Sequence, residues 1–531
     1  METRISLVIE YSRSGESRRV EVDAAGDARP GDAARELGLV TRRTGACWHV
    51  EVEPEVPVSV SGIVSTLACD VRGAKAIYLN GYQSWTDSYE RGVWAAMPGL
   101  TRAPKALIKK YQLDWSGDYR FTREDSRPGC QHGFAYGYLR YEGRVLFVGS
   151  LDEASGFTTI RENAWKNTLS FEKEPPAAPL AVGERRELMG LYVGEGELDR
   201  EVGAWLAAAG VEALPARKVI GYSSWYRHYN NINEQCLMAD LAGVASVAAE
   251  TPHEGADVLF QVDDGYAKVG DWLRPDARRF PGGMASLAEA AHEKGMLAGL
   301  WQAPFICEKE SALAAEHPDW ALDLPGAEGA NFNWSGAIVL DTLNPEVRAH
   351  VAKSLRTATA NWGYDLLKLD FLFAACMVAH DGKNCGELMA DAIALIRESV
   401  APGTRLLLCG VPLASAFGTC EYCRVGCDVG LDWDDKPHMR LLHRERISTK
   451  QSLADARGRA HLDGRAFGCD PDIFFLRDDV QLSDEQRDQM LETSAHAGTV
   501  MLTSDDMGAW TATQRTQYRA LVGEFLRSRH R

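Results

Sequence analysis

The stretch 365–373 reads Asp-Leu-Leu-Lys-Leu-Asp-Phe-Leu-Phe, an apolar run that carries Lys368 and Asp370 at its far end. A strand buried on both faces is near-continuously hydrophobic, and charged residues at its C-terminal tip are what a parallel barrel uses for chemistry. The pattern recurs. Val258-Leu259-Phe260-Gln261-Val262 ends in Asp263-Asp264, and a shorter run closes on Cys423-Arg424-Val425-Gly426-Cys427-Asp428. From Lys218 onward, eight candidate strands fall at 219–225, 258–261, 296–301, 366–369, 406–409, 423–426, 465–468 and 499–502. Amphipathic helical segments such as 284–294, 345–361 and 386–398 lie between them, and 513–527 follows the last. Eight alternations in this length fit a (β/α)8 barrel, usually about 250 residues plus insertions. An open doubly wound sheet is the alternative, but no G-x-G-x-x-G follows any of these strands.

The preceding residues have another texture. Short β-rich runs at 5–11, 47–52, 76–79, 134–141 and 144–148 are separated by Gly, Pro, Asp and Ser, without amphipathic helices between them. That spacing predicts an antiparallel β-sandwich. A chain of 531 residues is too long for one ordinary core. The expected division is a sandwich over 1–195, a helical linker over 196–217 and a barrel over 218–531.

A formal charge of −17 argues against nucleic acid and anionic membrane surfaces as partners. No run approaches the roughly 18 apolar residues of a membrane span, and the first 20 residues lack the apolar stretch of a signal peptide. Twelve cysteines, mostly within apolar segments, fit a reducing cytoplasm. Cys420, Cys423 and Cys427 could hold zinc or an iron–sulfur cluster if Cys409 or Cys385 supplied a fourth ligand. A barrel strand end explains the same residues, so thiols without metal are the expectation.

Polar residues gather at the predicted strand ends: Asp263, Asp264, Trp301, Lys368, Asp370, Cys409, Arg424, Asp428, Asp470, Asp472, Asp505 and Asp506. Any single Asp there could cap a helix, and Asp271 and Asp506 are read that way. Trp85, Trp225, Trp272, Trp301, Trp334 and Trp433 fall in or near these segments. Each could be core, but tryptophan beside paired acids suits a sugar, whose C–H face stacks on rings and whose hydroxyls bind charged groups. Glycoside cleavage uses two carboxyl groups flanking the scissile bond, about 5–5.5 Å apart in retaining enzymes. Asp370 and Asp428, on strands next-nearest around a barrel, are the candidate pair. Lys368, two residues from Asp370 on the same face, is expected to keep it ionised.

An ordered set of motifs runs through much of the chain: Asn80-Gly81-Tyr82-Gln83-Ser84-Trp85, Gly221-Tyr222-Ser223-Ser224-Trp225-Tyr226, Gln261-Val262-Asp263-Asp264-Gly265-Tyr266, Gly299-Leu300-Trp301, Lys368-Leu369-Asp370-Phe371, Cys409-Gly410-Val411-Pro412 and Arg424-Val425-Gly426-Cys427-Asp428. Together they resemble glycoside hydrolase family 36, the bacterial α-galactosidases and relatives. The resemblance implies a β-sandwich followed by a TIM barrel, no metal or organic cofactor, and a retaining, double-displacement mechanism on small α-galactosides of the melibiose and raffinose type. It implies Asp370 as nucleophile, Asp428 as acid/base, Asp263 and Asp264 as the grip on the 4- and 6-hydroxyls, and Trp85, Trp301, Lys368, Cys409 and Arg424 as further sugar contacts. A homo-oligomer is compatible with it, and Trp85 could serve its own barrel or a neighbour's. Three departures stand out: Cys427 where relatives often have proline, Val411 where a small polar residue is common near the sugar's 2-substituent, and a C-terminal β-domain expected to be reduced or absent. Val411 keeps α-N-acetylgalactosaminidase open beside α-galactosidase. The same acids would also serve a transglycosylase, and a sugar-binding protein with an inactive site is the reading from a different class.

Overall fold

A computed structural model describes residues 4–23, 32–100, 103–111, 117–120, 127–327, 334–434, 440 and 444–528. The N-terminal region is a sandwich of two six-stranded antiparallel sheets. One runs in the order Glu16–Asp23, Arg4–Arg13, Ser59–Ala68, Thr168–Lys173, Thr158–Asn163, His132–Phe134. The other runs Val40–Thr44, Cys47–Val52, Arg186–Gly196, Val145–Ser150, Tyr136–Arg140, Ala76–Leu79. The expected single run at 134–141 is split, because Ala135 takes a left-handed conformation (φ 64°) and carries the chain from one sheet to the other. Alternate residues such as Ile5, Leu7 and Ile9 face Val50, Leu139, Val148 and Leu191 across the sandwich core.

The second sheet's other face is aromatic and does not meet water. Tyr78, Tyr136, Tyr138 and Phe147 are buried there with Trp205 of the helix Leu198–Ala208. Tyr136 lies 4.9 Å from Trp205, which lies 5.7 Å from Phe417 of the barrel. This layer fixes the sandwich against the barrel.

The barrel strands are β1 (Lys218–Ser223), β2 (Ala256–Val262), β3 (Leu297–Gln302), β4 (Leu366–Leu369), β5 (Arg405–Leu408), β6 (Tyr422–Arg424), β7 (Gly468–Asp470, resuming at Ile473–Phe474) and β8 (Val500–Thr503). Each pairs in parallel with its neighbours in sequence order. The ring closes through the broken strand: Gly468–Asp470 pairs with β6, Ile473–Phe474 with β8, and β8 pairs with β1. The seventh strand therefore lies three residues beyond the expected 465–468. Helices including Gly283–Glu293, Pro345–Arg356, Cys385–Ser399, Asp484–His496 and Ala512–Arg527 intervene or follow.

Candidate active site

Strand β4 is buried along its whole length, and the chain reaches the barrel mouth at Asp370. The Asp370 N–H still bonds the Gln302 carbonyl of β3 (2.9 Å), after which Phe371 enters the left-handed region (φ 54°). A bulky side chain there is strained, the kind of local cost that functional sites sustain. The turn brings the Phe371 N–H back onto Asp370 Oδ1 (2.9 Å), while Trp301 Nε1–H at the end of β3 donates to Oδ2 (3.0 Å). Both carboxylate oxygens are thus aimed by rigid donors.

Lys368 does not hold Asp370 directly. Its Nζ donates to Asp263 Oδ2 at 3.0 Å, so its charge reaches Asp370 only through space. Burial outweighs that charge, and the Asp370 carboxyl lies above the ordinary aspartate value, with Asp428 adding to the rise against Lys368 and Trp301. Lys368 thus favours the ionised form of Asp370 through space and not by a direct bond.

On β2, Asp263 is heavily engaged by protein: Oδ2 accepts from Lys368 and Gln261 (3.0 Å), and Oδ1 from the Asp264 N–H (3.0 Å). Asp264 Oδ2 accepts from Trp334 Nε1–H (2.7 Å). Burial pushes the Asp264 carboxyl up to about 7, and the neighbouring Asp263 charge adds to that. Trp301 and Trp334 therefore serve as hydrogen-bond donors to carboxylates. Trp272 is core, packed 5.6 Å from Trp301.

The other half of the mouth is assembled across the domain boundary. Trp85, on the loop after the sandwich strand Ala76–Leu79, donates its indole N–H to Cys409 Sγ at the end of β5 (3.1 Å). Gly410 follows in a left-handed conformation (φ 57°), and a Cβ there would lie 2.9 Å from Phe371 N and 3.0 Å from the Trp85 ring. The Gly410 N–H donates to Ser84 Oγ (2.8 Å), and the Val411 carbonyl accepts from the Ser84 N–H (3.0 Å). Cys409 and Val411 are both fully covered, so Val411 does not face an open part of the site as its sequence position suggested. Trp85 sits in its own chain's barrel.

Beneath the loop lies Arg459, which has no exposed surface. It donates to Asn80 Oδ1 (3.1 Å) and to the carbonyls of Ser84 (2.6 Å), Gln83 (2.9 Å) and Val425 (3.1 Å). One guanidinium thus ties the Trp85 loop to the chain leaving β6.

Asp428, four residues past the end of β6, leaves 36 % of its side chain exposed, and its Oδ1 accepts from Arg424 Nη1 (3.0 Å). Arg424 is buried and also donates to Asp470 (3.3 Å) and Asp472 (2.7 Å) at the break in β7. Asp472 additionally accepts from the Tyr226 hydroxyl (2.6 Å). The strand-tip pattern flagged Asp470 and Asp472, and the motif after β1 contains Tyr226, but neither signal assigned them to the site.

Other flagged residues lie elsewhere. Asp271 accepts from the Ala312 and Leu313 N–H groups at the start of the helix Ala312–Glu316, and Asp506 caps a short 3-10 turn. The thiols of Cys420, Cys423 and Cys427 each donate to a different carbonyl, those of Ala416, Arg424 and Ser448. Among the described residues no group of three or more His, Cys, Asp or Glu side chains is arranged to hold a metal, and no helix is long and apolar enough to cross a membrane.

A sandwich-buttressed (β/α)8 barrel with carboxylates at the tips of β2, β4 and beyond β6 is the architecture of a barrel glycosidase. Residues 229–380 match the melibiase family model. The α-galactosidase of Thermus thermophilus, solved with p-nitrophenyl α-D-galactopyranoside, superposes with a TM-score of 0.71 at 28% identity, covering 91% of this chain and 94% of that one. The family 36 α-galactosidase AgaA of Geobacillus stearothermophilus shares the fold at 14% identity (TM-score 0.59), covering 96% of this chain and 69% of that one. Among curated proteins, the α-galactosidase Mel36A of Lactobacillus acidophilus is 26% identical over 252 residues, 45% of this chain and 32% of that protein. The α-galactosidase 2 of Pediococcus pentosaceus is 31% identical over 129 residues, 23% of this chain and 18% of that protein. The matched stretch spans a third or less of these two curated relatives' own length. The chain is thus similar, in sequence and in fold, to α-galactosidases of glycoside hydrolase family 36.

Proposed function

We propose that the chain is an exo-acting α-galactosidase that releases terminal α-linked galactose from small α-galactosides with retention of configuration. The observation that carries the reading is the pair of carboxyl groups: Asp370, buried and aimed by two donors, and Asp428, more exposed and held by Arg424. In this scheme Asp370 attacks the anomeric carbon while Asp428 protonates the departing oxygen. The bond to the aglycone breaks and a β-galactosyl ester forms on Asp370. Asp428 then takes a proton from water, which displaces Asp370 and leaves α-galactose. Carboxylates around the mouth favour the positive charge that builds on the sugar in both transition states. The T. thermophilus α-galactosidase has also been solved with stachyose, which supports an oligosaccharide substrate.

Galactose is favoured over N-acetylgalactosamine because Val411, the residue that raised the second possibility, is covered. No cofactor is needed for this chemistry, and the substrate is a diffusible sugar met in the cytoplasm.

A panel of p-nitrophenyl α-glycosides differing only in the sugar tests the reading, followed by Asp370→Gly. Hydrolysis of the galactoside is expected, with a loss of at least ~10³-fold in the variant and azide rescue yielding β-galactosyl azide. An α-azide from Asp370→Gly, or preference for the N-acetylgalactosaminide, overturns it. Because Asp370 must be ionised to attack, kcat/KM falls on the acid side through a value above the ordinary aspartate range.

A further inference from the structure

Strand β7 breaks at Pro471-Asp472, where Asp472 adopts φ 74° with only 1 % of its surface exposed. An aspartate held left-handed and buried is costly unless its side chain is well engaged. It is. Oδ1 accepts from Arg424 Nη2 (2.7 Å), and Oδ2 accepts from the Tyr226 hydroxyl (2.6 Å) and the Val429 N–H (2.9 Å). Its own N–H donates to Asp470 Oδ1 (3.0 Å). Val429 follows Asp428 directly, and Arg424 is the side chain that bonds Asp428. One carboxylate therefore grips the Asp428 backbone from one side and its side-chain partner from the other.

We infer that Asp472, locked by Tyr226, is a positioning residue that sets the aim of the proton donor Asp428. This rests on the α-galactosidase reading above. A carboxylate that merely cross-braced β1, β6 and β7 would, on removal, weaken the turnover of every substrate alike. One that aims a proton donor matters in proportion to how much the leaving group needs the proton.

The test compares kcat/KM for α-galactosyl fluoride, whose departure needs little protonation, with that for methyl α-galactoside and melibiose. This constant reads only the steps through departure of the leaving group, so the later role of Asp428 as base does not enter. Asp472→Asn is expected to lower kcat/KM on the two poor leaving groups by ~10²-fold, and on the fluoride at least about tenfold less severely. Tyr226→Phe removes one of the three bonds and keeps the carboxylate, so the same skew is expected at about tenfold on the poor leaving groups. It also carries the test should the Asn variant not fold. Equal losses on all three substrates, or no loss on the poor ones, overturn the assignment. Wild-type protein inert toward all three overturns the α-galactosidase reading itself, and this inference with it.

Discussion

The two halves of the barrel mouth are held by different means. On the β2–β4 side, Asp263, Asp264, Trp301, Lys368 and Asp370 bond mostly to one another and to adjacent strand ends. Trp334, on the chain between β3 and β4, is a partner from farther along it, and the Cys409 thiol at the end of β5 hydrogen-bonds Asp370 from the other side. On the β5–β7 side, Cys409 is covered by an indole from the sandwich, and the chain leaving β6 is tied to the sandwich loop through Arg459. The first half is a property of the barrel; the second needs the sandwich in place. The melibiase model matches residues 229–380, which contain the first half and stop before Cys409, Arg424 and Asp428. A site can thus build its Asp370 side largely from the barrel's own strand ends and rest its Asp428 side on a neighbouring domain.

Removing the tie should break the second half alone. Arg459→Ala leaves the Ser84 and Val425 carbonyls and the Asn80 amide oxygen without this partner in a buried junction, while the Gln83 carbonyl keeps the Thr86 N–H, a loss on the order of 3–5 kcal/mol. The calorimetric midpoint is expected to fall by several degrees. Arg459→Lys, which can satisfy at most part of the set, should fall between. If either variant melts like the wild type, the sandwich is not what secures this half.

The same division decides what the sequence discloses. Barrel strands such as β4 announce themselves because burial on both faces demands an apolar run, and the first charged residue after it marks the mouth. Two edge strands of the sandwich do not: Val40–Thr44 is largely exposed, and Glu16–Asp23 has only Val20 and Val22 as apolar residues, so neither carries a clear core signal. Strand β7 is misplaced by three residues because its pairing is split by Pro471, which donates no N–H, and the left-handed Asp472. Asp370 and Asp428 are legible as acids at strand ends. Arg459 is silent because three of its four acceptors are backbone carbonyls, which no residue type displays. Asp472 and Tyr226 stand 246 positions apart and become partners only when β7 lies between β6 and β8 and β8 closes on β1.

A smaller effect separates the halves by pH. Asp264 is held up near 7 by burial, whereas an unfolded aspartate ionises near about 3.9. Between those values the folded state keeps a proton that the unfolded chain has lost. The stability tied to Asp264 is therefore full below about pH 4 and declines as pH rises toward 7, by an amount on the order of 2–4 kcal/mol. Asp264→Asn removes that decline, so at pH 8 the variant is expected to melt above the wild type while binding substrate more weakly. Parallel melting curves for the two proteins from pH 5 to 8 would show that this half is not under the electrostatic load its burial implies.

The finest comparison is between two indole N–H groups, one in each half. Trp301 donates to the Asp370 carboxylate, Trp85 to the Cys409 thiol. A bond to an ionised acceptor contributes about 1.5–3 kcal/mol, one to a weak sulfur acceptor less than about 1. Replacing each with phenylalanine keeps most of the ring and deletes the donor. Trp301→Phe should lower kcat/KM by roughly 10–100-fold and raise the acid-limb midpoint, since a donor that favours the ionised nucleophile is gone. Trp85→Phe should cost a few-fold, chiefly in KM, and leave that limb in place, because its indole bonds the Cys409 sulfur and reaches Asp370 only through that thiol. A shift of the acid limb in Trp85→Phe, or none in Trp301→Phe, would mean that the two halves share one electrostatic unit and that the sandwich reaches the nucleophile after all.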